Sequence, residues 1–294
     1  MSIENNPSEW LKYARIDLTD SQILFRAGRF KNALYLLEQS CEKLGKSLLL
    51  FMGWISTKDE NMELKKIRKS IGLYPKKPKN YGHEWYFEFL KDIERVILSL
   101  ESYISLLEKV KTDKIDLSDD IEKFKSILSN SKEVMNKFKK INEMLSIDDS
   151  TINEIIESWK SLLSSILPKM DVISKEILIN LKKSKIGEKV ILILKFYRHP
   201  LDNEIRKFIS KLKKIEEEKY LRYYLKISML ILPVCHLSIL LSPFFWDRYP
   251  DSNLEVDYSE NNPFIKNFNK LTELLEICIK CADETKKCFL IKSE

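Results

Sequence analysis

The side chains best suited to chemistry are few: three histidines, five cysteines and one dense connector, "LSPFFWDRYPD" at 241–251. In that connector Pro243 and Pro250 bracket Phe244, Phe245, Trp246, Asp247, Arg248 and Tyr249, so it reads as a turn stiffened at both ends. Arg248 offers a planar fork that matches a phosphate, and Tyr249 offers a face on which a base can stack. The same residues would equally serve as a packing corner that closes a helical bundle.

The histidines fall at His83, His199 and His236, none beside a serine or cysteine in a nucleophile-elbow context. No HExxH, phosphate-binding GxxxxGK or GxGxxG pattern is present, so no cofactor is indicated. His236 lies in an apolar run and reads as a hydrogen-bonded core histidine. His199 stands beside Arg198 and reads as exposed. His83 opens a helix, where it caps the helix or faces a partner. Acid–base chemistry is open to each and indicated by none. Cys278 and Cys281 form a CxxC with Cys288 beyond, yet they sit inside a helical pattern and lack the second pair that a four-ligand zinc site needs. They read as core thiols, and no metal is expected.

The elements that must position these residues are helical throughout. Apolar residues at helical spacing predict helices over 8–27 and 31–52, joined at Gly28, and over 82–110 after a long connector. Further helices are expected at 121–145, with Phe124, Leu128, Met135 and Phe138 on its seam, at 151–167 up to Pro168, and at 169–184. The run at 188–197 suits a buried strand or a buried helix. Helices follow at 201–218, 220–242 and about 263–290. With only 6 glycines in 294 residues, long helices are favoured over many turns, and the expected class is all-α.

Formal charge is +6, unevenly placed: Lys175–Lys226 holds 15 Lys/Arg against 7 Asp/Glu, and Lys58–Lys79 holds 8 against 3. Such stretches suit either a nucleic-acid footprint or solvated helix faces. Basic residues alternate with aromatics at "KFYRHP" (195–200) and "EKYLRYYLK" (218–226), which suits stacked bases or cations snorkelling over an apolar face. The opening "MSIENNPSEW" does not read as a signal peptide, and five scattered cysteines do not read as a disulfide scaffold; a cytoplasmic protein is expected. Ile227–Trp246 is uncharged and long enough to span a bilayer, but its prolines, serines and histidine favour a buried central helix, so no membrane partner is expected.

The run "EWLKYARIDLTDSQILFRAGRFKNALYLLEQSCEKLGKSLLLFMG", followed by "YGHEWYFEFL", resembles the opening of the HEPN family. The matching residues are Ala14, Asp17, Leu18, Gly28, Arg29, Phe30, Gln39, Glu42, Lys43, Lys46, Gly53, His83 and Glu84. "LSPFFWDRYPD" is similar to the connector before that family's closing helix. The resemblance implies an antiparallel bundle of HEPN type, split into 1–108 and 220–294 by a helical insertion at 109–219. It also implies RNA or nucleotide binding at Arg248, Tyr249, Asp251, Glu42, Lys46 and His83, a homodimer, and a nucleotidyltransferase partner in a toxin–antitoxin or defence setting. Ribonucleases of the family carry an R-x4–6-H motif, and no histidine here has an arginine at that spacing. A non-cleaving binder is therefore expected. The alternatives are a metal-independent ribonuclease pairing Arg248 with His83 or His236, and a helical adaptor for another protein.

Overall fold

The computed structural model describes residues 6–51, 101, 104–105, 107–108, 116–137, 145, 147–183, 217–247 and 255–290. The helices are α1 (Pro7–Arg26), α2 (Phe30–Phe51), α3 (Ser118–Lys137), α4 (Asp149–Ile166), α5 (Met170–Lys183), α6 (Glu217–Trp246), α7 (Pro263–Lys266) and α8 (Phe268–Leu290). No described residue lies in a strand, and the described part of the chain is all-α.

Local chemistry sets the helix ends. Asn6 caps α1 by accepting from the Ser8 amide at 3.0 Å, with Pro7 in the first turn. At the other end Gly28 takes φ +71°, its amide donating to Phe25 O and the Arg29 amide to Leu24 O, both at 2.9 Å. This paired closure needs a left-handed residue, which glycine adopts without a Cβ penalty. Asp148 caps α4 by accepting from the Thr151 amide at 2.7 Å.

Three expected boundaries are corrected. Pro168 ends α4 but does not release the chain: a single 3-10 turn, Leu167–Lys169, feeds directly into α5. The expected closing helix is split at Asn267, whose side-chain amide donates to Pro263 O at 3.0 Å and to the Asp149 carboxylate. Most tellingly, α6 passes through Pro243 and ends at Trp246, so the first half of "SPFFWDRYPD" is helix and not turn. Proline removes the amide that would bond to Ile239 O. Ser242 compensates, its hydroxyl donating to that carbonyl at 2.8 Å.

One hydrophobic core contains residues from all three sequence segments, including Leu34 and Leu44 of α2, Phe124 of α3, Trp159 of α4, Leu230 and Leu240 of α6, and Leu271 of α8. α6 is buried on nearly every side. Its Leu225–Phe244 stretch is long and apolar enough to cross a membrane (mean hydropathy 2.0), and 83% of it is buried inside the bundle. Buried ion pairs lace the elements together: fully buried Asp120 of α3 accepts from Lys169 at 2.6 Å and from the Ser165 hydroxyl at 2.5 Å. The first and last helices lie side by side. Phe25 stacks on Phe268 at 4.0 Å, Arg15 pairs with Asp283 at 3.5 Å, and Gln22 donates to Glu276 at 2.7 Å.

Candidate functional site

The residues that carry the family resemblance in the first two helices meet along the α1–α2 seam. The Ser40 hydroxyl donates to Ala14 O at 2.6 Å, and the Ser47 hydroxyl to Pro7 O at 2.7 Å, so small side chains let the two backbones approach. Lys43 pairs with Asp17 across the seam.

A second face of α2 carries a buried polar stripe. Glu38, Glu42 and Lys46 recur every four residues and so stack on one face; they are only 6%, 9% and 7% exposed. Lys46 Nζ lies 2.5 Å from Glu42 Oε1 and 4.7 Å from the Trp10 ring centroid. Gln39 donates to Glu38 Oε2 at 2.8 Å and to Glu42 Oε2 at 3.1 Å. The two expected ligand residues, Glu42 and Lys46, are thus brought together, but as each other's partner. A cation sandwiched between a carboxylate and an indole is already neutralised and desolvated. Its chemistry is to hold α1 on α2.

The described end of the connector is anchored to the start of α2. Asp247 takes Lys31 Nζ at 2.6 Å and the Tyr258 hydroxyl at 2.8 Å on the same oxygen, Oδ2, with Lys31 also 5.4 Å from the Tyr258 ring centroid. Burial, together with hydrogen bonding to this carboxylate, pushes the Tyr258 phenol well above its usual range. Phe244 packs edge-on against Phe264 at 4.9 Å. These contacts tie the end of α6 to α2 and α7. Arg248, Tyr249, Asp251, His83, His199, the 54–82 connector and the 188–197 run lie outside the described residues.

His236 is 7% exposed, and its Nδ1 accepts from the Trp159 indole N–H at 3.0 Å. The bond fixes the remaining proton on Nε2, and burial lowers the imidazole to a pKa of about 4. A largely buried neutral ring with one nitrogen occupied is ill suited to act on an RNA backbone. Cys278 faces the core and Cys281, one turn on, is half-buried; burial raises both thiols, and pushes Cys235 of α6 up to about 12. Protonated thiols are poor ligands and nucleophiles.

Sequence reasoning missed Trp10, Glu38, Lys31 and Tyr258. The four-residue recurrence of Glu38, Glu42 and Lys46 was visible and points to a shared face. Nothing local joins Lys31 to Asp247 or Trp159 to His236. The chain matches no protein-family model, no curated protein and no solved structure.

Proposed function

We propose that this chain is a HEPN-like protein that binds RNA or a nucleotide without cleaving it, acting as a homodimer with a nucleotidyltransferase partner in a toxin–antitoxin or defence setting. The reading rests on the resemblance, and one observation carries its binding half: the charge is segregated. Lys175–Lys226 holds 15 Lys/Arg against 7 Asp/Glu and Lys58–Lys79 holds 8 against 3, although the whole chain carries only +6. The remainder of the sequence is acidic, with 27 Lys/Arg against 34 Asp/Glu, so the positive excess is concentrated in these two stretches. A neutral adaptor has no need of that separation, whereas a polyanion binder does. Arg248 and Tyr249 add a phosphate fork and a stacking face; Glu42 and Lys46 contribute beneath the surface by fixing α1 on α2.

The ribonuclease alternative loses one of its histidines in physical terms, since His236 is buried, neutral and bonded to Trp159. Arg248 with His83 is what remains of it.

The test is retardation of end-labelled mixed RNA in EDTA across a salt titration. Affinity is expected to fall with salt at a slope of roughly 0.7 per phosphate contacted, with the RNA intact. Cleavage that disappears in Arg248→Ala would establish the ribonuclease reading. No retardation at low salt would refute RNA binding.

A further inference from the structure

The segment "EKYLRYYLK" places Arg222 and Lys226 one helical turn apart on α6, and both turn toward Asp171 in the first turn of α5. Arg222 Nη1 lies 3.1 Å from Asp171 Oδ2, while Lys226 Nζ stands 3.7 Å from Oδ1, beyond hydrogen-bond reach. The guanidinium carbon sits 5.4 Å from the Tyr223 ring centroid. Among the described residues, two buried polar atoms of this group have no hydrogen-bond partner: Arg222 Nε and Asp171 Oδ1. One carboxylate therefore faces two cations, and the Nε donor of Arg222 has no acceptor among the described residues. Buried donors are rarely left so. The side chain of Asp171 is 49% exposed, against 25% for Arg222 and 30% for Lys226, so the acid is the member most open to solvent.

We propose that Arg222 and Lys226 form a subsite for a backbone phosphate of the bound nucleic acid, with Asp171 as the resident counter-ion that the phosphate displaces. The inference rests on the RNA-binding reading above. A phosphate has what Asp171 does not supply: oxygens spaced to accept from the side-on edge of a guanidinium, Nε and an Nη together, with another left for an ammonium one turn away. The pair closes a stretch of sequence, Lys175–Lys226, that holds 15 bases against 7 acids, a composition that suits a polyanion. No covalent step is involved; one anion replaces another.

The experiment is RNA retardation across salt with wild type, Arg222→Gln, Arg222→Lys and Asp171→Asn, each checked for helical content and cooperative melting. Arg222→Gln is expected to weaken binding about tenfold and to reduce the salt slope by about one. Arg222→Lys retains the slope but loses affinity, because the charge stays and the fork goes. Asp171→Asn tightens binding severalfold by removing the competitor. A merely structural ion pair predicts otherwise, since removing either partner would then leave binding unchanged or weaken it. If wild type retards RNA while Arg222→Gln matches it in affinity and slope, or Asp171→Asn binds no tighter, the subsite is wrong and the RNA reading stands. If inorganic phosphate at matched ionic strength abolishes the difference between wild type and Arg222→Gln at low millimolar concentration, the site is one for free phosphate and the backbone assignment is overturned. If wild type retards no RNA, the functional reading falls and takes this inference with it.

Discussion

Protonating His236 should cost this protein a large part of its stability, and the cost can be separated from ordinary acid unfolding. The ring is buried against Trp159 and held neutral, with its pKa lowered from 6.5 to about 4 by burial. In the unfolded chain it titrates near the ordinary histidine value of about 6.5. Between these two values the unfolded state binds more protons, so stability is complete above about pH 6.5 and declines as pH falls toward 4. At roughly 1.4 kcal/mol per pKa unit the loss saturates at about 3 kcal/mol, a sizeable share of the 5–15 kcal/mol typical of a domain. Protonation also converts Nδ1 from acceptor to donor, so the indole N–H faces another N–H. His236→Gln keeps an acceptor for Trp159 but does not titrate in this range. The assay is urea unfolding followed by far-UV circular dichroism at half-unit steps from pH 7.5 to 4. Wild type should lose about 3 kcal/mol more than His236→Gln across the window, since every other titration is common to both. Parallel stability curves would refute the claim that His236 is held neutral by its burial.

Lys46→Met leaves Glu42 without its ion-pair partner in a buried site and should destabilise by about 3–5 kcal/mol, a loss that adding Glu42→Gln partly restores in the same unfolding assay. Gly28→Ala meets no atom within 4 Å, so its cost is backbone strain alone; a loss of about 1 kcal/mol is expected from thermal melts. Ser242→Ala removes the donor that serves Ile239 O above Pro243, and should cost about 1 kcal/mol. Ser242→Thr, which can make the same bond, should recover most of it.

What was legible in the sequence was whatever depends on near neighbours. The stop at Gly28 and the apolar stripe of α2 follow from residues within a turn or two of each other. Pro243 misled for an instructive reason: proline forbids a hydrogen bond but not a helix, provided that another donor takes the vacated carbonyl, and the serine that does so is its immediate neighbour. Asn267 likewise breaks the closing helix through a side chain that reaches Asp149, far away in sequence. In the candidate site, the pairing of Glu42 with Lys46 is one helical turn in extent and was within reach. The triad of Lys31, Asp247 and Tyr258, and the convergence of Arg222 and Lys226 on Asp171, are products of tertiary packing that no local pattern encodes.

The adjacency of α1 and α8 also has a consequence for how the molecule is made. The contacts of Arg15, Gln22 and Phe25 with Asp283, Glu276 and Phe268 cannot form until the last described helix has left the ribosome. α6, the most apolar element, is synthesised earlier and must wait for α8 to complete its cover. During that interval the nascent chain displays a helix that resembles a membrane segment in hydropathy, so its yield in a cell depends on how quickly the following residues arrive or on a chaperone that shelters it meanwhile. Slowing translation between the codons for Trp246 and Leu290 should lower soluble yield more than the same delay placed between α1 and α2, whose seam closes on itself.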